Sequence, residues 1–219
     1  MMEPKNAGLA RSAFLPLAVT LAYLLPQFAP GSPPAQALAR LGAGTLQSLS
    51  QALFLLIIIG LTAPLPEFGL QRPRPGDFLH ALLLLGALLA LGLASRWLWQ
   101  ANGAGFGESE PARGAPIVTA ALIALFSLSV GYREELFYRA YIMRSLRARG
   151  ASALASALLS TALFAAGHAY QGAAGMASAA ALGLALALAY AKGARLHALA
   201  WAHAGYNALI LYGAMGYLP

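Results

Sequence analysis

Charge-free apolar stretches divide this chain. Between Ser12 and Ala39 there is no charged residue, with an apolar core over Ala13–Ala29. Leu41 to Pro66 is also uncharged, around the run ALFLLIIIGL, and Phe78–Ser95 and Gly114–Tyr132 are a third and a fourth stretch. The 42 residues between Arg149 and Lys192 hold no Asp, Glu, Lys or Arg and a single histidine, His168. That is twice the ~20 residues one crossing needs, and Tyr170-Gln171-Gly172 near the middle reads as a turn, so the segment predicts two spans. Leu196–Leu218 predicts a seventh. Ala and Leu dominate and strand alternation is absent, so the spans are expected to be helices rather than barrel strands. In the sixth, Gly175, Ala179, Gly183 and Ala187 recur every four residues; in the seventh, Ala200, Ala204 and Ala208 do the same. Small residues at that period let backbones approach closely in lipid, and these two spans are expected to pack against each other.

Composition narrows the class. Of 219 residues, 59% are hydrophobic and 10% charged, against about 25% charged in soluble domains. This excludes a water-soluble globule, a disordered chain and a nucleic-acid binder. There is no cysteine, so disulfides and thiolate metal or redox sites are excluded, and His80, His168, His197 and His203 are the only strong nitrogen ligands. The expected architecture is all-α: a polytopic membrane helix bundle of about seven transmembrane helices, multi-pass in the cell membrane.

The net charge of +7 is sorted along the chain rather than gathered. With a cytoplasmic N-terminus and seven spans, Lys5, Arg11, Arg72, Arg74, Arg144, Arg147, Arg149, Lys192 and Arg195 fall on one side and Arg40, Arg96 and Arg113 on the other, nine against three. This obeys the positive-inside rule. Arg133 and Arg139 fit neither side. Lys5 and Arg11 before the first stretch, the Pro-rich Pro30–Pro34, and Ala35-Gln36-Ala37 after it imitate a secretory leader. Six further spans need no cleaved leader, and the stretch is read as an uncleaved span. The polar, Gly-rich loop Gly103–Gly114 is expected to be mobile. It separates residues 1–114, a plain set of N-terminal helices and loops, from residues 115–219, a four-helix core that carries the unusual polar groups.

Ionisable residues at membrane depth default to a functional reading. Arg133, Glu134, Glu135 and Arg139 lie at the end of the fourth span, His168 on the fifth, and His197, His203 and Asn207 on the last. Glu134 lies 16 residues before Gly150 and His168 lies 18 after it, ~24 and ~27 Å from a hairpin turn there. His203 and Asn207, ~15 and ~21 Å beyond a turn at Gly193, reach the same layer if the Arg144–Arg149 end projects into the cytoplasm. Glu135 and Arg139 are i, i+4 and can pair. Glu134, ~100° away, is expected to face a cavity, where a carboxylate can deprotonate water. His203 and Asn207 share a face and can donate to an oxyanion, while His168 can hold the water or donate a proton. This outfit suits hydrolysis of an amide by activated water.

The order Glu134-Glu135-x-x-x-Arg139, Phe164-x-x-x-His168, His203-x-x-x-Asn207 resembles the CPBP intramembrane proteases, relatives of the type II CAAX prenyl endopeptidase and of bacteriocin-processing or immunity membrane proteins. The likeness covers roughly Ala115 to Leu211. It implies a glutamate-type endopeptidase with Glu134, His168, His203 and Asn207 as catalytic residues, Glu135 and Arg139 in support, and Phe164 packed behind His168. It implies no cofactor and no metal. Two histidines and a glutamate also form a zinc set, but without the His-Glu-x-x-His spacing of helix-borne zinc proteases. His80 and His197 match no motif and read as structural or interfacial. The expected partners are the lipid bilayer and a peptide or protein substrate, lipidated or not, with no nucleic acid. The competing readings are a non-catalytic immunity or scaffold protein of the same fold, a zinc-dependent membrane protease, and a transporter with a proton relay. No internal repeat of the kind transporters carry is visible.

Overall fold

In lipid a helix satisfies its own backbone polar groups, and Ala and Leu lose little side-chain freedom in it. The computed structural model describes residues 14–24, 37–102 and 116–216. Among these it has seven helices and no strand: α1 (Phe14–Leu24), α2 (Ala37–Thr62), α3 (Pro75–Ala101), α4 (Pro116–Ala148), α5 (Ala153–Gly167), α6 (Gly172–Ala191) and α7 (Leu196–Ala214). The helix count is the expected one. The leader-like features around Lys5, Arg11 and Pro30–Gln36, the loop Gly103–Gly114, and Leu218 lie outside the described residues.

Four of the helices, spanning Leu38–Leu61, Pro75–Ala101, Pro116–Ala148 and Ala169–Ala191 (α6 with the turn before it), are long and apolar enough to cross a membrane. Their outward faces carry exposed Leu53, Ile57, Leu83, Trp97 and Ile117, an apolar surface that suits acyl chains and not water. The chain is an integral membrane helix bundle. Helix α5 has 15 residues, ~22 Å of rise, and falls short of the ~30 Å hydrocarbon layer. Its C-terminal end is therefore set within the bundle's depth.

Local chemistry ends the helices where the sequence turns. Gly150 (φ +91°) and Gly193 (φ +99°) occupy left-handed positions. The N–H of Ala151 returns to the Leu146 carbonyl at 3.1 Å, and that of Ala194 to the Ala189 carbonyl at 2.9 Å. Both are Schellman closures, in which glycine avoids a Cβ penalty. Ser152 then caps α5, its Oγ accepting from the Ala155 N–H at 3.1 Å. Pro75 opens α3, and the Asp77 carboxylate accepts from the Arg74 N–H at 2.8 Å.

The loops that carry most of the basic residues meet at one end. Arg195 donates to Asp77 Oδ1 and Oδ2 at 3.1 and 2.8 Å and to the Arg72 carbonyl at 3.0 Å. Arg144 pairs with Glu67. Arg40 near the start of α2 and Arg96 near the end of α3 belong to the opposite end. A reporter fused after residue 219 is expected to read out on the non-cytoplasmic side, while one in the Arg144–Arg149 loop reads cytoplasmic. A cytoplasmic signal from residue 219 would contradict this orientation.

Helix α4 departs most from the expected pattern. The helix runs on past the apolar stretch Gly114–Tyr132 to Ala148, close to the hairpin turn expected at Gly150. Its Leu136–Met143 segment is a π-helix, and all eight of those residues are buried. A π-helix widens each turn by bonding i to i+5; it is rare and frequently found at functional sites. Neighbours on every side make room for it. The Phe137 ring stacks on Tyr23 of α1 at 3.7 Å, Tyr138 meets Phe164 of α5 at 5.1 Å, and Leu55, Ile59, Ala179 and Leu196 complete the same core. Ser160 of α5 donates to the Tyr138 carbonyl at 2.7 Å.

The small-residue stripes find other partners than expected. Helix α6 packs chiefly on α5, and α7 on α4 and α3, with little contact between α6 and α7. A Cβ on Gly183 would lie 2.7 Å from the Phe164 ring, and one on Gly131 would lie 2.7 Å from the Ala200 carbonyl oxygen. A small-residue stripe permits close approach but does not choose who approaches.

Candidate active site

The expected polar residues gather around α4. Gly131 lets α7 lie against it, and His203 arrives beside two consecutive glutamates. Glu135 is fully buried and engaged on both oxygens. Its Oε2 pairs with Arg139 Nε at 3.2 Å, the expected i, i+4 bridge, and its Oε1 accepts from His203 Nδ1–H at 2.8 Å. Arg139, with no exposed surface, also donates from Nη2 to the Gly183 carbonyl at 2.9 Å and lies 4.8 Å from the Phe164 ring centroid. A buried ion pair persists when further hydrogen bonds and polarisable neighbours offset its desolvation.

The bond to Glu135 fixes the His203 tautomer. With Nδ1 as donor, Nε2 is left as the free nitrogen, and it faces Glu134 Oε2 at 3.6 Å. That separation is too long for a direct hydrogen bond. Glu134 Oε2 is buried and has no hydrogen-bond partner among the described residues. Glu134 is not free as expected, because its Oε1 pairs with Arg133. Arg133 in turn donates from Nη1 to Gln51 Oε1 of α2 at 3.0 Å and lies 5.8 Å from the Tyr23 ring of α1.

His168 is the C-cap residue of α5 rather than part of the helix, followed by the short 3-10 turn Ala169–Gln171 and Gly172 at φ +75°. Its Nδ1–H donates to the Phe164 carbonyl at 2.8 Å, so Nε2 is the acceptor nitrogen of the neutral ring. Phe164 packs on the His168 ring at 4.5 Å, as expected, and also touches His203 at 5.9 Å. One ring thus sits between the two histidines. Asn207, one turn along α7 from His203, is half-buried and makes no hydrogen bond among the described residues. A cavity of about 290 Å3 lies beside this cluster rather than within it, lined by Ala22, Tyr23, Ser50, Gln51 and Phe54.

The other histidines stay outside. His197 is held between the Gln71 carbonyl, which accepts from Nε2 at 2.5 Å, and the Tyr132 hydroxyl at 2.8 Å on Nδ1. It pins the loop before α3 to α7. His80 is exposed on α3. Among the described residues no three His, Asp or Glu side chains lie together in a metal-binding arrangement.

In the sequence Arg133 stands out as an ionisable residue at membrane depth that fits neither side, with no role assigned to it, and Gln51 does not stand out. The available signals were a cation directly preceding Glu134 at membrane depth and an amide directly before the run ALFLLIIIGL.

Residues 116–209 match the family model described as Rce1-like, Type II CAAX prenyl endopeptidase Rce1-like. No curated protein and no solved structure matches the chain. The three motifs lie within the matched segment, on α4 to α7, and over residues 116–209 this membrane protein is similar to the Rce1-like, type II CAAX prenyl endopeptidase family.

Proposed function

We propose that the chain is a membrane-embedded endopeptidase in which Glu134 activates water for attack on a peptide bond, with residues 115–219 as the catalytic core. The observation that carries this reading is the pair Glu134 Oε2 and His203 Nε2, 3.6 Å apart, neither hydrogen-bonded to the other. Both are acceptors once Nδ1 of His203 holds the proton. A water between them donates to each and is left with its lone pairs directed outward. Glu134 takes the proton as the water attacks the carbonyl carbon, and returns it to the leaving amine when the bond breaks. The Asn207 amide, on the same face of α7 as His203, is the donor for the oxyanion. His168 borders the site through Phe164 and orients the water or the substrate. Glu135 holds the His203 ring in one tautomer, and Arg139 holds Glu135.

The substrate class that fits is a peptide or protein reaching the site from the bilayer, as in CAAX-type or peptide-precursor processing, and the membrane that fits is the cell membrane. The competing immunity or scaffold role needs none of this hydrogen-bond order between Glu135, His203 and Glu134. The test is purified full-length protein in detergent with a prenylated CAAX-type peptide, assayed before and after a strong chelator. Cleavage is expected, at a rate the chelator leaves unchanged. Loss of activity with recovery on stoichiometric zinc would replace the glutamate mechanism with a metal-bound water. No cleavage of prenylated or unprenylated peptides would favour the scaffold.

A further inference from the structure

Arg133 lies outside the motif that begins at Glu134, yet the structure builds around it. On a helix, residues i and i+1 point ~100° apart and do not face each other. An ion pair between Arg133 and Glu134 therefore needs something to turn the guanidinium back toward its neighbour. Two elements from the N-terminal helices do this. Gln51 of α2 accepts from Nη1 at 3.0 Å, and the Tyr23 ring of α1 lies 5.8 Å from the guanidinium carbon. The Arg133 side chain is 12% exposed, so its charge is answered by these groups and by Glu134 rather than by solvent.

We propose that Arg133 is a positioning residue for Glu134 and that Gln51 aims it. The pairing occupies Oε1 and leaves Oε2, on the His203 side, as the one carboxylate oxygen for proton transfer. Without Arg133, the carboxylate of Glu134 can rotate and offer either oxygen, and its charge is buried without a counter-ion. This use of the clamp rests on the endopeptidase reading. The clamp itself does not. It also assigns α1 and α2, which lie outside the matched segment 116–209, a part in the site: they hold the group that holds the base. Lysine supplies the charge but cannot span Gln51 and Glu134 with one planar fork.

The experiment uses the full-length protein with two readouts. The first is a thermal cycle of wild type, Arg133→Gln, Glu134→Gln and the double variant in detergent. Arg133→Gln is expected to lower the melting temperature, and adding Glu134→Gln to recover most of that loss, since the buried charge goes with it. Additive shifts overturn the clamp whether or not any peptide is cleaved. The second is cleavage of a prenylated CAAX-type peptide. Arg133→Gln is expected to lower kcat about 10- to 100-fold, as misplacement of a reacting group does, with KM within about twofold. Arg133→Lys is expected to recover part of kcat. Gln51→Leu, which leaves both charges in place, is expected to lower kcat several-fold with KM unchanged. Wild-type kcat in both Arg133→Gln and Gln51→Leu, with Glu134→Gln inactive, overturns the positioning role and leaves the endopeptidase standing. No cleavage by the wild type overturns the endopeptidase reading, and the catalytic use of the clamp with it.

Discussion

Glu134→Gln is expected to lower kcat by about 10²–10⁴-fold, the usual loss for a general base, while the protein still folds. Glutamine keeps the size of the side chain, and its amide oxygen still accepts from Arg133. What it loses is the basic oxygen facing His203 Nε2 at 3.6 Å. The measurement is kcat on a cleaved peptide, beside the melting temperature of the purified variant. Full activity in Glu134→Gln would remove this residue from the chemistry. Glu135 would not then inherit the role, because both its oxygens are engaged, one by Arg139 and one by His203. A carboxylate in that position has no oxygen turned to a substrate.

Glu135→Gln has a different signature: loss of stability together with loss of activity. Arg139 and Glu135 have no exposed surface, so removing one charge leaves the other buried and uncompensated. Breaking a buried pair in this way costs about 3–5 kcal/mol. The Gly183 carbonyl and the Phe164 ring still face Arg139 and keep the loss toward the lower end. The neutral amide also ceases to hold His203 Nδ1 as a charge-assisted acceptor, so the ring can rotate or change tautomer. Denaturation of the variant in mild detergent, followed by helix content, reads the first effect, and kcat reads the second. A Glu135→Gln protein as stable as wild type would show that the pair contributes nothing to the fold.

The contrast between these two neighbours was visible in the sequence only as geometry on a helix. Glu135 and Arg139 at i, i+4 predict a pair, and the pair forms. The same spacing turned Glu134 ~100° away from that pair, toward an expected cavity. Spacing could not show that Arg133 would be turned back onto it, because that depends on Gln51, 82 positions away. Nor could it show that His203 would be bound to Glu135 through Nδ1. Depth matching brought His203 to the layer of the two glutamates on condition that the Arg144–Arg149 end projects into the cytoplasm, and the contacts of His203 with both glutamates agree with that. It could not set the rotation of α7 about its own axis, which decides which ring nitrogen meets which carboxylate.

The sequence by itself determined the membrane class, the helices and their turns, the sharing of most basic loops by one end, and the candidate residues of the site. These are local properties. Apolar length, a glycine at a left-handed position and the spacing of motif residues are each written within a few consecutive positions. Only the tertiary structure decided the partners. It widened α4 into a π-helix inside a shell of five other helices, ended α5 just before His168, sent the small-residue stripe of α6 to Phe164 instead of to α7, and drew Tyr23 and Gln51 to the edge of the site. Each of these depends on how helices far apart in the chain rotate and press together. That choice is made by packing the whole bundle at once, and no short stretch of residues contains it.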